Sequence, residues 1–336
     1  MSHGYTRHIV KNKLKEVSRF AKFAWAVLAY NFVVIAWGAI VRATGSGAGC
    51  GNHWPSCNGV LVPRSPQTAT MIEFAHRLTA GLSTLLVIAL AVWAFRALPK
   101  RHPGRRAAAM AVVLTFVEAG IGAGLVLLEK VAKDESFARV VYLSVHLVNT
   151  FLLVAAIALA AWWASGGPRI QWRGLNAWRL PALVGLAATL VLGVSGAVTA
   201  LGDTLYPSAS FLDGIRSDFA PTAHALIRFR VYHPLFAMVV GGYLGAFAIA
   251  ALIKRRNTLV QPLATALLAL ILVQWALGGL DAVLLAPVWM QVIHLLLADA
   301  LWVAAVLLSA ALVVPFSQPA ASPEKELLST AAYTAL

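Results

Sequence analysis

The sequence predicts an all-α integral membrane protein, with eight transmembrane helices forming two pseudo-symmetric four-helix bundles in a parallel repeat. Three observations carry this expectation. Hydrophobic residues make up 60% of the 336 residues and charged residues only 12%, against about 25% charged in soluble domains. Eight apolar runs follow one another along the chain, each near the roughly 20 residues that a membrane span needs. Motifs in the first four runs recur, in the same order, in the last four.

The expected spans are 23–43, 74–97, 107–128, 138–164, 180–201, 229–253, 260–282 and 288–314. The first has a basic flank like a signal peptide, but Phe23 to Val41 is longer than the apolar stretch of such a peptide, so it reads as a retained helix. The organisation that follows is a basic N-terminal segment (1–22), an N-terminal bundle (23–165), a linker (166–179), a C-terminal bundle (180–314) and a polar tail (315–336).

The formal net charge of +14 raises the question of a nucleic-acid partner, and its placement argues against one. Eighteen of the 27 Lys and Arg fall in the N-terminal segment, the loops after spans two, four and six, and the tail; examples are Lys11, Arg101, Arg106, Arg173 and Arg256. In the alternate loops, carboxylates such as Glu129, Asp134, Glu135, Asp203, Asp213 and Asp218 offset the bases. Excess positive charge marks the cytoplasmic side. Both termini are therefore expected in the cytoplasm and the chain in the cell membrane.

The halves align motif by motif. Trp37-Gly-Ala-Ile-Val-Arg-Ala-Thr-Gly in span one matches Ser195-Gly-Ala-Val-Thr-Ala-Leu-Gly in span five, and His76-Arg-Leu-Thr-Ala matches His233-Pro-Leu-Phe-Ala. Val117-Glu-Ala-Gly-Ile-Gly matches Val273-Gln-Trp-Ala-Leu-Gly, and His146 and His294 follow in spans four and eight. Units of four spans insert with the same orientation, so a relating axis is expected along the membrane normal. The small residues at these positions allow close helix approach.

Ionisable side chains inside a membrane are expensive and usually functional. His76, His146, His233 and His294 all fall in the outer half of even-numbered spans, the first and third near the span start and the others about two turns in at 1.5 Å per residue. Two imidazoles per bundle suggest two sites with paired axial ligands, and heme is the group such pairs most often hold. A lone intramembrane histidine is as readily a helix–helix hydrogen-bond donor; four in repeated contexts favour ligation. His3, His8 and His102, in basic segments, are expected to be solvated, and His53 and His224 to serve loop packing.

The loop between spans one and two holds the only two cysteines, Cys50 and Cys57, separated by six residues. Outside the cytoplasm thiols oxidise, so a disulfide is expected, either a structural staple or a redox-active pair. Glu73 precedes His76 by three and shares its helix face; the equivalent position in the second half is Arg230. Glu73 is either a catalytic carboxylate beside a heme edge, moving a proton or stabilising a cation, or an interfacial carboxylate paired with Arg77 or Arg42. Glu118 is a second buried-carboxylate candidate, with Gln274 opposite it in the repeat. Asp281 and Asp299 are expected as intramembrane polar contacts.

Taken together, Gly38-Ala-Ile-Val-Arg-Ala-Thr-Gly-Ser-Gly, the Cys50–Cys57 loop with Trp54-Pro55, Glu73-Phe-Ala-His-Arg, and His146, His233 and His294 resemble the heme A synthases. The resemblance covers approximately residues 20–314 and implies an oxidoreductase that converts the C8 methyl of heme O to a formyl group by successive hydroxylations. It implies substrate heme near Glu73, His76 and His146, and a permanent heme b cofactor, with its iron, on His233 and His294. Arg42 and Arg77 are candidate contacts for heme propionates, or else snorkelling arginines. Implied partners are membrane lipid, the farnesyltransferase that makes heme O and cytochrome oxidase assembly factors; an oligomer is compatible. Unlike some members, this chain lacks a second cysteine pair in the long loop from Asp203 to Arg228. The alternative expectation is a quinone-linked diheme b-type electron-transfer cytochrome; a transporter is a third class.

Overall fold

The computed structural model describes residues 2–64, 66–170, 176–255 and 257–313, with side chains from Glu16 onward. The expected tail, the bases Arg173 and Arg256, and the side chains of His3 and His8 lie outside the described residues. Nine α-helices occur among those residues: α1 Ser2–Ala43, α2 Thr68–Ala97, α3 Pro103–Leu127, α4 Phe137–Ala164, α5 Arg179–Leu205, α6 Phe211–Asp218, α7 Ala225–Lys254, α8 Val260–Val283 and α9 Val288–Leu312. All but α6 are long and apolar enough to cross a membrane. The chain is an all-helical, multi-pass membrane protein.

Local chemistry sets several helix starts. Ser136 caps α4 by accepting from Arg139 N, and Ser210 caps α6 by accepting from Asp213 N. These are the side chains that best satisfy orphan N–H groups. Pro103 stands at the first position of α3, where its missing N–H costs nothing. His102 caps the same helix, its Nδ1 accepting from Gly104 N at 3.1 Å. It is buried, not solvated as expected; Trp163 and Arg169, at and beyond the end of α4, lie against it.

Helices α1 to α4 pack as a ring, each against the next and α4 against α1. Helices α5, α7, α8 and α9 pack as a second ring in the same way, and the rings meet where α1 and α4 face α5 and α9. Each ring has a packed core at the end away from the cysteine loop. Phe20, Val27, Leu90, Ala108 and Ile157 centre the first; Leu244, Ala248, Ala264, Leu267 and Leu308 centre the second. Lipid offers helices no hydrophobic drive to associate, so close van der Waals contact among small residues does this work. Trp302 of α9 joins the rings, donating Nε1–H to the Phe151 carbonyl at 2.6 Å and stacking on the Phe151 ring.

Helix boundaries differ from the expected spans in one way that matters. Helix α2 starts at Thr68 and α7 at Ala225, earlier than the apolar runs suggest, because a hydrogen-bonded helix continues through polar residues that hydropathy discounts. His76 and His233 are therefore not at the helix starts. The four histidines stand eight, nine, eight and six residues past the first residues of α2, α4, α7 and α9.

Candidate functional site

The histidines lie at the cysteine-loop ends of the rings, where neither packed core reaches. None is fully buried, although each sits on a helix inside a ring. His76 has His146 as its foremost electrostatic neighbour, and His233 has His294. The pairing is within rings, not between them.

Glycines make the room. A Cβ on Gly38 of α1 would lie 3.1 Å from His76 Cε1, and one on Gly196 of α5 would lie 2.9 Å from His233 Cε1. On Gly278 of α8 it would lie 3.2 Å from His294 Cε1. Real Cβ contacts are rarely this close, so three of the four imidazoles rest against helix backbone. The fourth differs: Gly122, the repeat equivalent of Gly278, has open space around it.

His146 is instead held by a carboxylate. Its Nδ1 lies 3.2 Å from Glu118 Oε1, and Glu118 also accepts from Asn149 Nδ2 at 2.5 Å and from Thr150 Oγ1. In the second ring Ser195 Oγ lies 2.9 Å from His233 Nδ1. A partner at Nδ1 fixes an imidazole's orientation and leaves Nε2 as the free ligand nitrogen. The Nδ1 atoms of His76, His146 and His294 are buried without a hydrogen bond that meets full geometry among the described residues, and of the three only His146 has its carboxylate contact. Partly buried imidazoles in pairs, packed against helix backbone, are a donor set that fits iron-porphyrin ligation.

Cys50 and Cys57 are joined by a disulfide and buried. Glu73, also buried, accepts from Cys50 N–H at 2.8 Å. Its other oxygen receives Arg77 Nη2 at 2.5 Å and Nε at 3.2 Å. Arg77 Nη1 donates to the carbonyls of His53 and Ser56 within the loop, at 2.7 and 2.5 Å. Glycine is required at position 49, where a Cβ would meet the Ala69 carbonyl carbon at 2.4 Å. The loop is thus strapped onto the first turns of α2, directly over the turn that bears His76.

Arg42, one turn beyond Gly38, points across the ring boundary. Its Nη1 donates to the Ala200 carbonyl at 2.7 Å and Thr204 Oγ1 at 2.9 Å, and its Nη2 to Gln291 Oε1 at 2.6 Å. In the second ring Arg230 stands where Glu73 stands in the first. It pairs with Asp203 at 2.8 Å and Asp218 at 3.6 Å, and donates to the Gly202 and Tyr206 carbonyls at 3.0 and 2.5 Å. His224 caps α7 and contacts Tyr206, a loop-packing role as expected. Asp299 is fully buried on α9, and neither carboxyl oxygen has a hydrogen-bond partner among the described residues.

Reading the sequence did not single out the pairings Glu118–His146 and Ser195–His233, nor the glycines that back the rings. The repeat carried the signal: Ser195 opens the motif aligned with Trp37-Gly38, and Gly278 closes the one aligned with Gly122.

A family model described as cytochrome oxidase assembly protein (COX15-CtaA) matches residues 21–306. A protoheme IX farnesyltransferase of Thermus thermophilus is 49% identical over 294 residues, 87% of this chain and 48% of that protein. Heme A synthases of Exiguobacterium sp. and Shouchella clausii are 39% and 43% identical over 109 and 94 residues. Those matches cover 32% and 28% of this chain, and 36% and 31% of the synthases. The chain spans about half the length of the Thermus relative and matches about a third of each synthase. With the family match running from the first spanning helix to the last, the chain belongs to the cytochrome oxidase assembly protein family.

Proposed function

We propose that the protein is a heme A synthase, an oxidoreductase that converts the C8 methyl of heme O to a formyl group through successive hydroxylations. The observation that carries this reading is the pair of neighbouring, half-buried imidazoles in each ring. The partial matches to named heme A synthases support it.

In this reading the first ring takes the substrate. His76 and His146 would hold the iron of heme O, with Glu118 positioned at Nδ1 of the His146 ring. Glu73 is the catalytic carboxylate. Arg77 and the Cys50 amide fix it one turn before His76, where a carboxylate accepts a proton or stabilises developing positive charge. In the second ring His233 and His294 would hold heme b, with Ser195 orienting the His233 imidazole. Bound there, heme b supplies electron transfer. Arg42 and Arg77 are the proposed propionate contacts, a role that requires each to share its guanidinium with the partners it holds here.

The two rings are the N-terminal (23–165) and C-terminal (180–314) units of the repeat. We place them in the cell membrane with both termini in the cytoplasm and the disulfide loop outside. The Thermus relative, about twice as long as its match here and named a farnesyltransferase, supports a farnesyltransferase that supplies heme O as partner.

Co-expression with a heme O producer, followed by pigment extraction and chromatography, tests the reaction. A new formyl-bearing heme is expected, and its absence from a heme-replete, folded protein overturns the assignment.

One observation favours a second reading. The Glu73 carboxylate is fully engaged by the loop and Arg77, so a purely structural role accounts for it, as in a diheme b-type electron-transfer cytochrome. Glu73→Gln separates the two. The synthase reading expects heme binding with lost heme A formation, and the cytochrome reading expects no formyl-bearing heme from either protein.

A further inference from the structure

We propose that α6 is a membrane-interface anchor whose apolar face lies among lipid headgroups and the first acyl carbons. This goes beyond the synthase reading and does not depend on it.

Helix α6 connects α5, which ends at Leu205, to α7, which starts at Ala225. Two spans therefore hold it at the membrane surface. At 100° per residue, Phe211, Ile215, Phe219 and Leu212 fall within an arc of about 100°, the width of an apolar stripe on an interfacial helix. All four are exposed, Leu212 at 64% and Phe219 at 71%. A contiguous exposed patch of large apolar side chains marks an interaction surface.

The flanks of the segment, by contrast, are held by protein. Asp218 pairs with Arg230, Ser208 accepts from Arg230 Nη1 at 3.3 Å, and Tyr206 donates to Glu135 Oε2 in the α3–α4 loop at 2.6 Å. These contacts tether both flanks of α6 to α7 and the α3–α4 loop, while Leu212 and Phe219 stay the most exposed of its apolar side chains.

Lipid is the occupant because α6 packs on α7, whose outer part is itself apolar and exposed. Phe229, Tyr232, Leu235 and Phe236, on the first turns of α7, are likewise exposed on a helix that spans the membrane. The charges of α6 are Asp213, Arg216 and Asp218, so attraction to anionic headgroups contributes little. Apolar contact and tethering by two spans hold it.

The test uses the full-length protein in bilayers. Its native cysteines are joined in a disulfide, so Leu212→Cys, Phe219→Cys and Asp213→Cys each take a single nitroxide label. Power saturation compares access of oxygen, which partitions into lipid, with access of a water-soluble nickel chelate. The expected result is a several-fold higher oxygen-to-chelate ratio at 212 and 219 than at 213. That ratio should be the same in phosphatidylcholine bilayers with and without phosphatidylglycerol. Equal chelate access at all three positions overturns the proposal. Shielding of 212 and 219 from both probes overturns it in favour of a protein covering the face, and a contrast seen only with anionic lipid overturns the apolar basis.

Discussion

Glu73 and Arg230 do one structural job with opposite charges. Each stands three residues before a histidine, and each ties the loop preceding its helix onto that helix. Glu73 accepts the Cys50 amide, whereas Arg230 donates to the Gly202 and Tyr206 carbonyls and pairs with Asp203. The first loop also has its disulfide. The second has no cysteine, and Arg230 is its staple.

Arg230→Ala is therefore expected to loosen residues 203–224 while leaving α8 and α9 as they are. Hydrogen bonds to a charged group contribute about 1.5–3 kcal/mol, so amide protection in that loop should fall roughly tenfold or more, since 1.4 kcal/mol is about a factor of ten. Hydrogen exchange read by mass spectrometry checks this. Unchanged exchange in the loop would show that Arg230 is not what holds it.

Gly196 and Gly122 make opposite predictions from equivalent kinds of position. A Cβ at Gly196 would crowd His233 at 2.9 Å, whereas one at Gly122 meets nothing. Gly196→Ala should push the imidazole off its position and weaken heme retention by about 10–100-fold, the usual effect of disturbing a ligand's support. Gly122→Ala should bind heme like the wild type. Heme-to-protein ratios after purification decide between them.

Arg42 links the rings through Ala200, Thr204 and Gln291. Arg42→Ala should cost about 2 kcal/mol or more, because the bonds are charge-assisted and the Gln291 acceptor is left without a donor. Arg42→Lys should recover only part of this, since an ammonium cannot reproduce the planar fork. Thermal unfolding of both variants in detergent measures the difference.

His102 carries a pH dependence of stability. Burial, reinforced by Arg169, pushes its pKa from 6.5 down to about 4, against an opposing hydrogen bond to the Trp163 backbone. Between those values the unfolded chain binds more protons than the folded one, so stability rises with pH. The contribution is complete above pH 6.5 and is lost as the pH falls toward 4. His102→Asn keeps a capping side chain and should flatten melting temperature against pH in that window.

Some of this was legible in the sequence for a simple reason. Apolar run length is a local property, and each of the eight expected spans falls on one long helix, although α1 and α2 begin six or more residues earlier. The Cys50–Cys57 bridge was likewise expected from two cysteines in one short loop. Helix α6 was not foreseen. Its eight residues give a weak periodic signal inside a charged loop. His102 was misread as solvated because a basic neighbourhood says nothing about which distant segment, here the end of α4, packs against a turn.

The sequence by itself determined that the chain crosses the membrane eight times, that its halves repeat, and that four histidines recur in matched contexts. Only the tertiary structure decided what those residues touch. Ser195 meets His233, Glu118 meets His146, and Gly38 backs His76, each contact joining different helices. Hydropathy and repetition are carried by neighbours along the chain, whereas the rotation of one helix against another is set by close packing of small residues from both. That rotation determines whether an imidazole faces its partner.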